Sequence, residues 1–147
     1  MKEVVILSAA RSAGGKFGGS LASMTAPDFG AVVVRETIKR ADISPDVIDQ
    51  SIIGNAWQAG VGPNPARITA VRAGVPTYAP AVSINVRCGS GIQAMIFGAQ
   101  AIKTGDMNTV LVGGTESASQ IPYALSKARW GYRMGKGELL DLMHKDG

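Results

Sequence analysis

The sequence contains one cysteine, Cys88, within the stretch NVRCGSGI. It lies where a predicted strand ends and a predicted helix begins. The free N–H groups and the positive dipole end of a helix N-terminus stabilise a thiolate. Gly89, Ser90 and Gly91 keep the first helical turn slim, so a substrate can approach the sulfur and the backbone donors together. The position alone leaves two interpretations open, an inert, small core residue and a nucleophilic thiol.

Other candidate groups offer less chemistry. His144 is the only histidine, and its context indicates a surface residue rather than a base. A single cysteine cannot form an internal disulfide, which fits a reducing compartment such as the cytoplasm. No metal ligands are assigned.

Composition and charge restrict the function classes. The 147 residues are 46% hydrophobic, which predicts a packed core of about one domain. The net charge is +4, but Lys and Arg are interleaved with acids, so no nucleic-acid surface is expected. No apolar run reaches the roughly 18 residues of a membrane helix. The short apolar run before Arg11 is interpreted as a first strand, not as a signal peptide.

Strand-like and helix-like runs alternate along the chain. The predicted strands are residues 4–7, 51–53, 81–86 and 108–112, and the predicted helices are residues 25–41, 64–74 and 92–103. Such alternation implies parallel β-α-β units in a covered sheet, with ligand crevices at the carboxyl ends of the strands. Beyond Ser117 the pattern fails, and a loop leads to a short amphipathic helix around residues 138–144.

The predicted helix after Cys88 is apolar on nearly every face. Between residues 92 and 103, only Gln93, Gln100 and Lys103 are polar. A helix of this kind must be buried on nearly all sides. A four-stranded sheet covers one side, so a second sheet layer or a second chain is needed for the other.

The segment NVRCGSGIQA resembles the nucleophile segment of the thiolases, the acetyl-CoA acetyltransferases. The stretch ILSAARSAGGKFGGSL is similar to the opening strand and loop of that family, and GNAWQAGVGPNPARITAVRAGVP to its Asn-Pro-Ala-Arg region. The stretch VLVGGTESASQIPY resembles its Gly-Gly-x-Glu-x-x-Ser strand end, and ARWGYRMGKGELLDLMHKDG the segment leading into its loop domain. In this order and spacing the fragments are highly specific, and they cover essentially the whole chain.

The resemblance implies an α/β fold with thiolase-like layers, αβαβα when complete. This chain would form the N-terminal βαβαβαβ half, residues 1–117, followed by the start of the loop domain and oligomerisation segment, residues 118–147. The middle layer of thiolases consists of buried helices, one of which carries the nucleophile. The run from Ile92 to Ile102 would be that helix, and the other half of the enzyme would cover it.

The resemblance also implies an activity. Cys88 would accept an acetyl group as a thioester, for Claisen condensation to acetoacetyl-CoA or for thiolysis of a 3-ketoacyl-CoA, in fatty acid metabolism. Coenzyme A thioesters would be substrates, with no permanently bound cofactor, and no residue is assigned to coenzyme A binding. A cytoplasmic homodimer or homotetramer is expected, with neither a membrane nor a nucleic acid as partner.

The chain departs from the family in what it lacks. The Gly-His-Pro histidine, the Cys-x-Gly cysteine and the oxyanion-hole asparagine have no counterpart here. We therefore expect this chain to supply the nucleophile and to need a C-terminal thiolase part, which is a separate chain or is missing. Smaller departures are Thr115, Ala118 and the pair Val86-Arg87.

Two alternatives remain open at this point. The chain could be a non-catalytic, thiolase-like scaffold subunit, which would tolerate loss of the Cys88 thiol. It could also belong to another condensing enzyme of the same fold, such as a ketoacyl synthase. Neither the acyl chain length nor the direction of the reaction follows from the sequence.

Overall fold

The computed structural model describes residues 2–146. Met1, the first residue of the predicted segment 1–117, and Gly147, the last residue of the predicted segment 118–147, lie outside it. The main strands are β1 (Gln50–Gly54), β2 (Ala81–Ile84) and β3 (Val110–Gly114), and the main helices are α1 (Ala26–Ala41), α2 (Pro65–Ala73) and α3 (Ser90–Thr104). Shorter elements are the strands β4 (Tyr123–Ala124) and β5 (Leu140–Asp141), the helix α4 (Leu142–Asp146) and the 3-10 turns Pro45–Val47 and Ala118–Gln120.

The three main strands form one parallel sheet in the order β2-β1-β3. Gly54 at the end of β1 lies opposite Ile84 on one side and Gly114 on the other, so the three carboxyl ends meet at one edge. The crossovers from β1 to β2 and from β2 to β3 run in opposite directions across the sheet. Right-handed connections therefore place α2 and α3 on opposite faces. The predicted parallel α/β architecture is confirmed for these elements.

The predicted first strand is wrong for this structure, because residues 4–7 form no ladder with any described strand. The last three side chains of this run are 60–74% exposed. A cavity of about 760 Å³ separates the segment from β3, α1 and α3. Side chains hold the segment instead: Lys2 Nζ donates to Asn108 Oδ1 (2.9 Å) and Ser8 Oγ to the Thr37 carbonyl (2.6 Å). β-branched residues favour a strand only where a ladder and a half-buried surface are available.

The ends of α1 and α2 follow from their capping residues, as the sequence predicts. At the start of α1, Thr25 and Asp28 form a capping box in which each side chain accepts from the other's backbone N–H. At the start of α2, the Asn64 side chain accepts from Arg67 N–H. Gly74 ends α2 in the left-handed conformation, with φ of 100°.

The core lies between α1, α2 and the sheet, and its side chains are mostly small. It consists of Ala31, Val34, Ile38, Ile48, Ala70, Ala73, Val75, Ala79 and Leu111. This buried layer supports the sheet against which α3 lies.

Helix α3 is covered on one side only. It packs against β1 and β3 through Ala94 and Gly98, and a Cβ on Gly98 would lie 2.6 Å from Val112. Its outer face is open, with Ile92 64% exposed and Met95, Ile96 and Phe97 41–43% exposed. The described residues therefore do not supply the second cover that the composition of this helix requires.

The segment after Ser117 is mostly an exposed loop, as predicted. Tyr123 pairs with Asp141, and Ala124 with Leu140, so β4 and β5 close a loop of exposed residues. The last helix begins at Leu142 rather than near residue 138, because the two preceding residues extend to pair with β4.

Candidate active site

Cys88 lies in a tight turn between β2 and α3, and its side chain is exposed. Ser90, the first residue of α3 and only 4% exposed, closes this turn. Its Oγ accepts from Val86 N–H (2.9 Å) and donates to the Arg87 carbonyl (2.6 Å). The hydrogen bonds of Ser90 therefore close the turn across Cys88, by joining the residue two places after the cysteine to the two residues before it.

The residue before the cysteine has a strained backbone. Arg87 has φ of 54°, in the left-handed region that costs a non-glycine residue about 1–3 kcal/mol. Arg87 N–H donates to Asn85 Oδ1 (2.9 Å), which helps to hold this conformation. The Arg87 guanidinium donates to the Asp146 carbonyl, which brings α4 beside the turn. Strain of this kind persists only where the surroundings fix it, as they do here.

Two glycines allow the first turn of α3 to pack closely against the carboxyl ends of the strands. A Cβ on Gly54, at the end of β1, would lie 2.6 Å from Ser90. A Cβ on Gly114, at the end of β3, would lie 3.3 Å from Gly91 Cα. Such close approach fixes the depth of the Cys88 turn relative to the sheet.

The N-terminus of α3 has no side-chain cap. Among residues 2–146, the backbone N–H groups of Gly91 and Ile92 have no hydrogen-bond acceptor. Both groups lie in the first turn of the helix, close to Cys88 in sequence. They remain free to donate to a thiolate, or to a carbonyl oxygen that gains negative charge.

A carboxylate that the sequence interpretation did not assign lies at the same edge of the sheet. Glu116 is an exposed residue just after β3, and its carboxylate accepts from Ala56 N–H (2.7 Å), Trp57 N–H (3.2 Å) and Asn55 Nδ2 (2.7 Å). Desolvation by the surrounding protein atoms raises the pKa of Glu116, and these three hydrogen bonds oppose the rise. The only local signal was its place in the Gly-Gly-x-Glu-x-x-Ser pattern, two residues after the end of β3.

The other sequence-predicted residues lie apart from this cluster or play structural parts. His144 is exposed on α4. Thr115 Oγ1 donates to the Ala26 carbonyl and ties the end of β3 to the start of α1. Within residues 2–146 no three His, Cys, Asp or Glu side chains are grouped to hold a metal ion. No helix in that range has the length and apolar character needed to cross a membrane.

Comparison with known proteins identifies relatives along the whole chain. The family model for the N-terminal domain of thiolase matches residues 4–147. The chain is 48% identical to an acetyl-CoA acetyltransferase of Cupriavidus necator and 44% identical to one of Escherichia coli. It is 42% identical to a probable acetyl-CoA acyltransferase of Staphylococcus aureus. Each match covers 100% of this chain but only 37–38% of the relative.

Proposed function

Because the chain belongs to the thiolase family, we propose that it supplies the nucleophile-bearing part of an enzyme that transfers acyl groups between coenzyme A thioesters. The observation that carries this proposal is the placement of Cys88, exposed in a closed turn before the uncapped start of α3. The family match favours this reaction over that of a ketoacyl synthase.

In the first step, the Cys88 thiolate attacks the carbonyl carbon of an acyl-CoA. A new carbon–sulfur bond forms, and the carbonyl electron pair moves to oxygen. The free N–H groups of Gly91 and Ile92 are suited to stabilise that oxygen. Collapse of the tetrahedral intermediate expels the coenzyme A thiolate and leaves an acyl-cysteine, so that one difficult transfer becomes two easier ones.

In the second step, a second acyl-CoA loses a proton from the carbon next to its carbonyl. The resulting carbanion attacks the acyl-cysteine, forms the carbon–carbon bond and releases the Cys88 thiolate. Thiolysis of a 3-ketoacyl-CoA is the reverse. The bases for these proton transfers are assigned to a C-terminal thiolase part, since the chain spans about 37% of the relatives it matches.

The same proposal gives the open face of α3 a partner. In a two-half thiolase fold, the C-terminal part would cover the exposed side chains of Ile92, Met95, Ile96 and Phe97. Residues 118–147 would begin the loop domain, and the assembled unit would form a homodimer or homotetramer. Coenzyme A thioesters enter as substrates, not as a resident cofactor.

The test is direct detection of the acyl-cysteine. The chain is combined with a C-terminal thiolase part, mixed with acetoacetyl-CoA and quenched in acid. Intact mass and peptide mapping should show one acetyl group on Cys88. Cys88→Ser with the same partner should show none, and the chain without its partner should not turn over acetoacetyl-CoA.

Two outcomes would count against the proposal. An assembled pair that never acetylates Cys88 contradicts it outright. If Cys88→Ser supports the same activity as the wild-type chain, the chain acts as a scaffold for another nucleophile.

A further inference from the structure

We propose that Glu116 is a positioning residue for the nucleophile, acting on the Cys88 turn through the loop Asn55–Trp57 and through Asn85. This inference rests on the proposed function, and its test separates the two. Glu116 does not touch the thiol. Its influence follows a continuous set of hydrogen bonds across the carboxyl edge of the sheet.

The first link is the anchoring of the loop after β1. Three donors from Asn55, Ala56 and Trp57 converge on the Glu116 carboxylate at 2.7–3.2 Å. Asn55 Oδ1 and Trp57 Nε1 are buried without a partner among the described residues, so these two groups contribute no hydrogen bond to the position of the loop. The carboxylate instead binds two backbone N–H groups and the Asn55 amide, and these contacts hold the loop to Glu116.

The anchor itself is fixed to the sheet. Thr115 N–H donates to the Gly54 carbonyl (3.0 Å), and the Thr115 carbonyl accepts from Asn55 Nδ2 (2.9 Å). Thr115, the residue before Glu116, is therefore bonded both to the last residue of β1 and to the first residue after it. A movement of the loop relative to β3 must break these contacts or those of the carboxylate.

The second link joins the loop to the nucleophile turn. Asn85 Nδ2 donates to the Ala56 carbonyl (3.0 Å), while Asn85 Oδ1 accepts from Arg87 N–H (2.9 Å). Ala56 is the residue whose own N–H is bonded to Glu116. One amide side chain thus spans from the anchored loop to the left-handed residue that precedes Cys88. Its position depends on where Ala56 is held.

A carboxylate suits this position better than an amide. An ionised carboxylate only accepts hydrogen bonds, and all three groups facing Glu116 are donors. A glutamine at this position would bring its own NH₂ group against at least one of them. Glu116→Gln therefore keeps the side-chain shape while it disrupts the anchor.

The experiment measures the rate at which iodoacetamide alkylates Cys88 in the chain assembled with its C-terminal thiolase part. Glu116→Gln should slow alkylation and kcat about tenfold, with little change in the KM for acyl-CoA. Glu138→Gln, an exposed carboxylate outside this network, is the matched control and should match wild type. Circular dichroism and melting verify that each variant is folded.

A double-mutant cycle tests the route. Asn85→Ala should slow alkylation by itself, and the double variant Asn85→Ala/Glu116→Gln should be no slower than the slower single variant. Residues that act along one chain of contacts show such non-additive effects. Fully additive effects would contradict the relay. Asn85→Ala also tests it if Glu116→Gln fails to fold, because Asn85 is exposed and its removal buries no unpaired group.

The outcomes distinguish the two proposals. If Cys88 is acetylated normally but Glu116→Gln and Asn85→Ala both alkylate at the wild-type rate, the positioning role is wrong and the proposed function stands. If the wild-type assembly is never acetylated while both variants slow alkylation, the acyl-transfer function is wrong and the positioning role stands.

Discussion

Helices α2 and α3 follow parallel strands of the same sheet, and both end at a left-handed glycine, yet their N-termini are built differently. At α2, Asn64 caps Arg67 N–H, and Ala66 N–H donates to Ser83 Oγ (2.9 Å). At α3 no side chain caps the helix, and the one polar side chain of its first turn bonds backward into the Cys88 turn.

The start of α2 contributes to the stability of the fold, whereas the start of α3 contributes to the reactivity of the thiol. The chain satisfies the N-terminal donors of α2 itself, so this end stabilises the fold and has little to offer a ligand. The start of α3 keeps donors free beside a thiol, and its position depends on contacts from neighbouring strands. Changes at α2 should therefore alter the free energy of unfolding, and changes around α3 should alter reactivity.

The largest expected effect comes from the thiol. Cys88→Ser should lower acyl transfer in the assembled enzyme by about 10⁴-fold or more, because a serine hydroxyl is not ionised at neutral pH. The free energy of unfolding should stay within about 0.5 kcal/mol of wild type, since the side chain is exposed. Steady-state thiolysis and urea unfolding measure the two quantities. A large loss of stability would break the comparison.

Gly54→Ala should affect both reactivity and stability. Its Cβ would lie 2.6 Å from Ser90, so the first turn of α3 must shift, at a cost of about 1–3 kcal/mol. Gly113→Ala is the matched control, because a Cβ there meets Ile53 only at 4.0 Å. Urea unfolding and Cys88 alkylation are the measurements. Equal behaviour of the two variants would show that close packing under α3 does not position the turn.

Asn64→Ala should affect stability alone. It removes the cap of α2 and the bonds to Ser83 Oγ and to the Ala81 carbonyl, so we expect a loss of about 2 kcal/mol. Asn108→Ala, which removes one exposed surface contact, should cost no more than about 0.5 kcal/mol. Alkylation of Cys88 should be unchanged in both. If Asn64→Ala slows alkylation as strongly as Gly54→Ala does, the two helix starts are not independent.

The smallest effect concerns pH. The hydrogen bond from Thr25 lowers the pKa of Asp28 below 3.8, so its share of stability is present above that value and is lost as pH falls through the folded pKa. Desolvation by the surrounding protein atoms raises the pKa of Glu116 above 4.5, so its share has the opposite sign and declines as pH rises through the raised pKa. The measurement is the urea midpoint as a function of pH between about pH 3 and pH 7. In Asp28→Asn the midpoint should no longer fall toward acid pH as steeply as in wild type. In Glu116→Gln it should no longer decline as pH rises through the raised pKa of Glu116. Unchanged profiles in both variants would contradict these assignments.

Much of the fold followed from local signals. The cap and proline at Thr25 and Asn64 located two helix starts, and Gly74 located a helix end. The place of Cys88 followed from the change of period between strand and helix, and its proposed role came from the family resemblance. These features are encoded within a few residues of where they occur.

Features that depend on distant partners were missed. The run 4–7 has strand-forming residues, but pairing also requires an adjacent strand edge and a surface to bury. Glu116 and Asn85 gain their importance from contacts with Ala56, which is far away in the chain. The pairing of β4 with β5, because of which the last helix begins at Leu142 rather than near residue 138, is likewise non-local.

The order of the strands also sets when the sheet can form. Ser51 in the central strand pairs with Ala81 on one side and with Leu111 on the other, so neither neighbour exists when the central strand leaves the ribosome. Until Gly114 has been synthesised, β1 has one free edge and the seat of α3 is incomplete. Loop-closure entropy must be overcome before such distant pairings contribute, which makes parallel sheets slow to fold. The nucleophile is therefore made before β3, the last strand of the sheet that presents it, and its turn acquires a fixed shape only after β3 is in place.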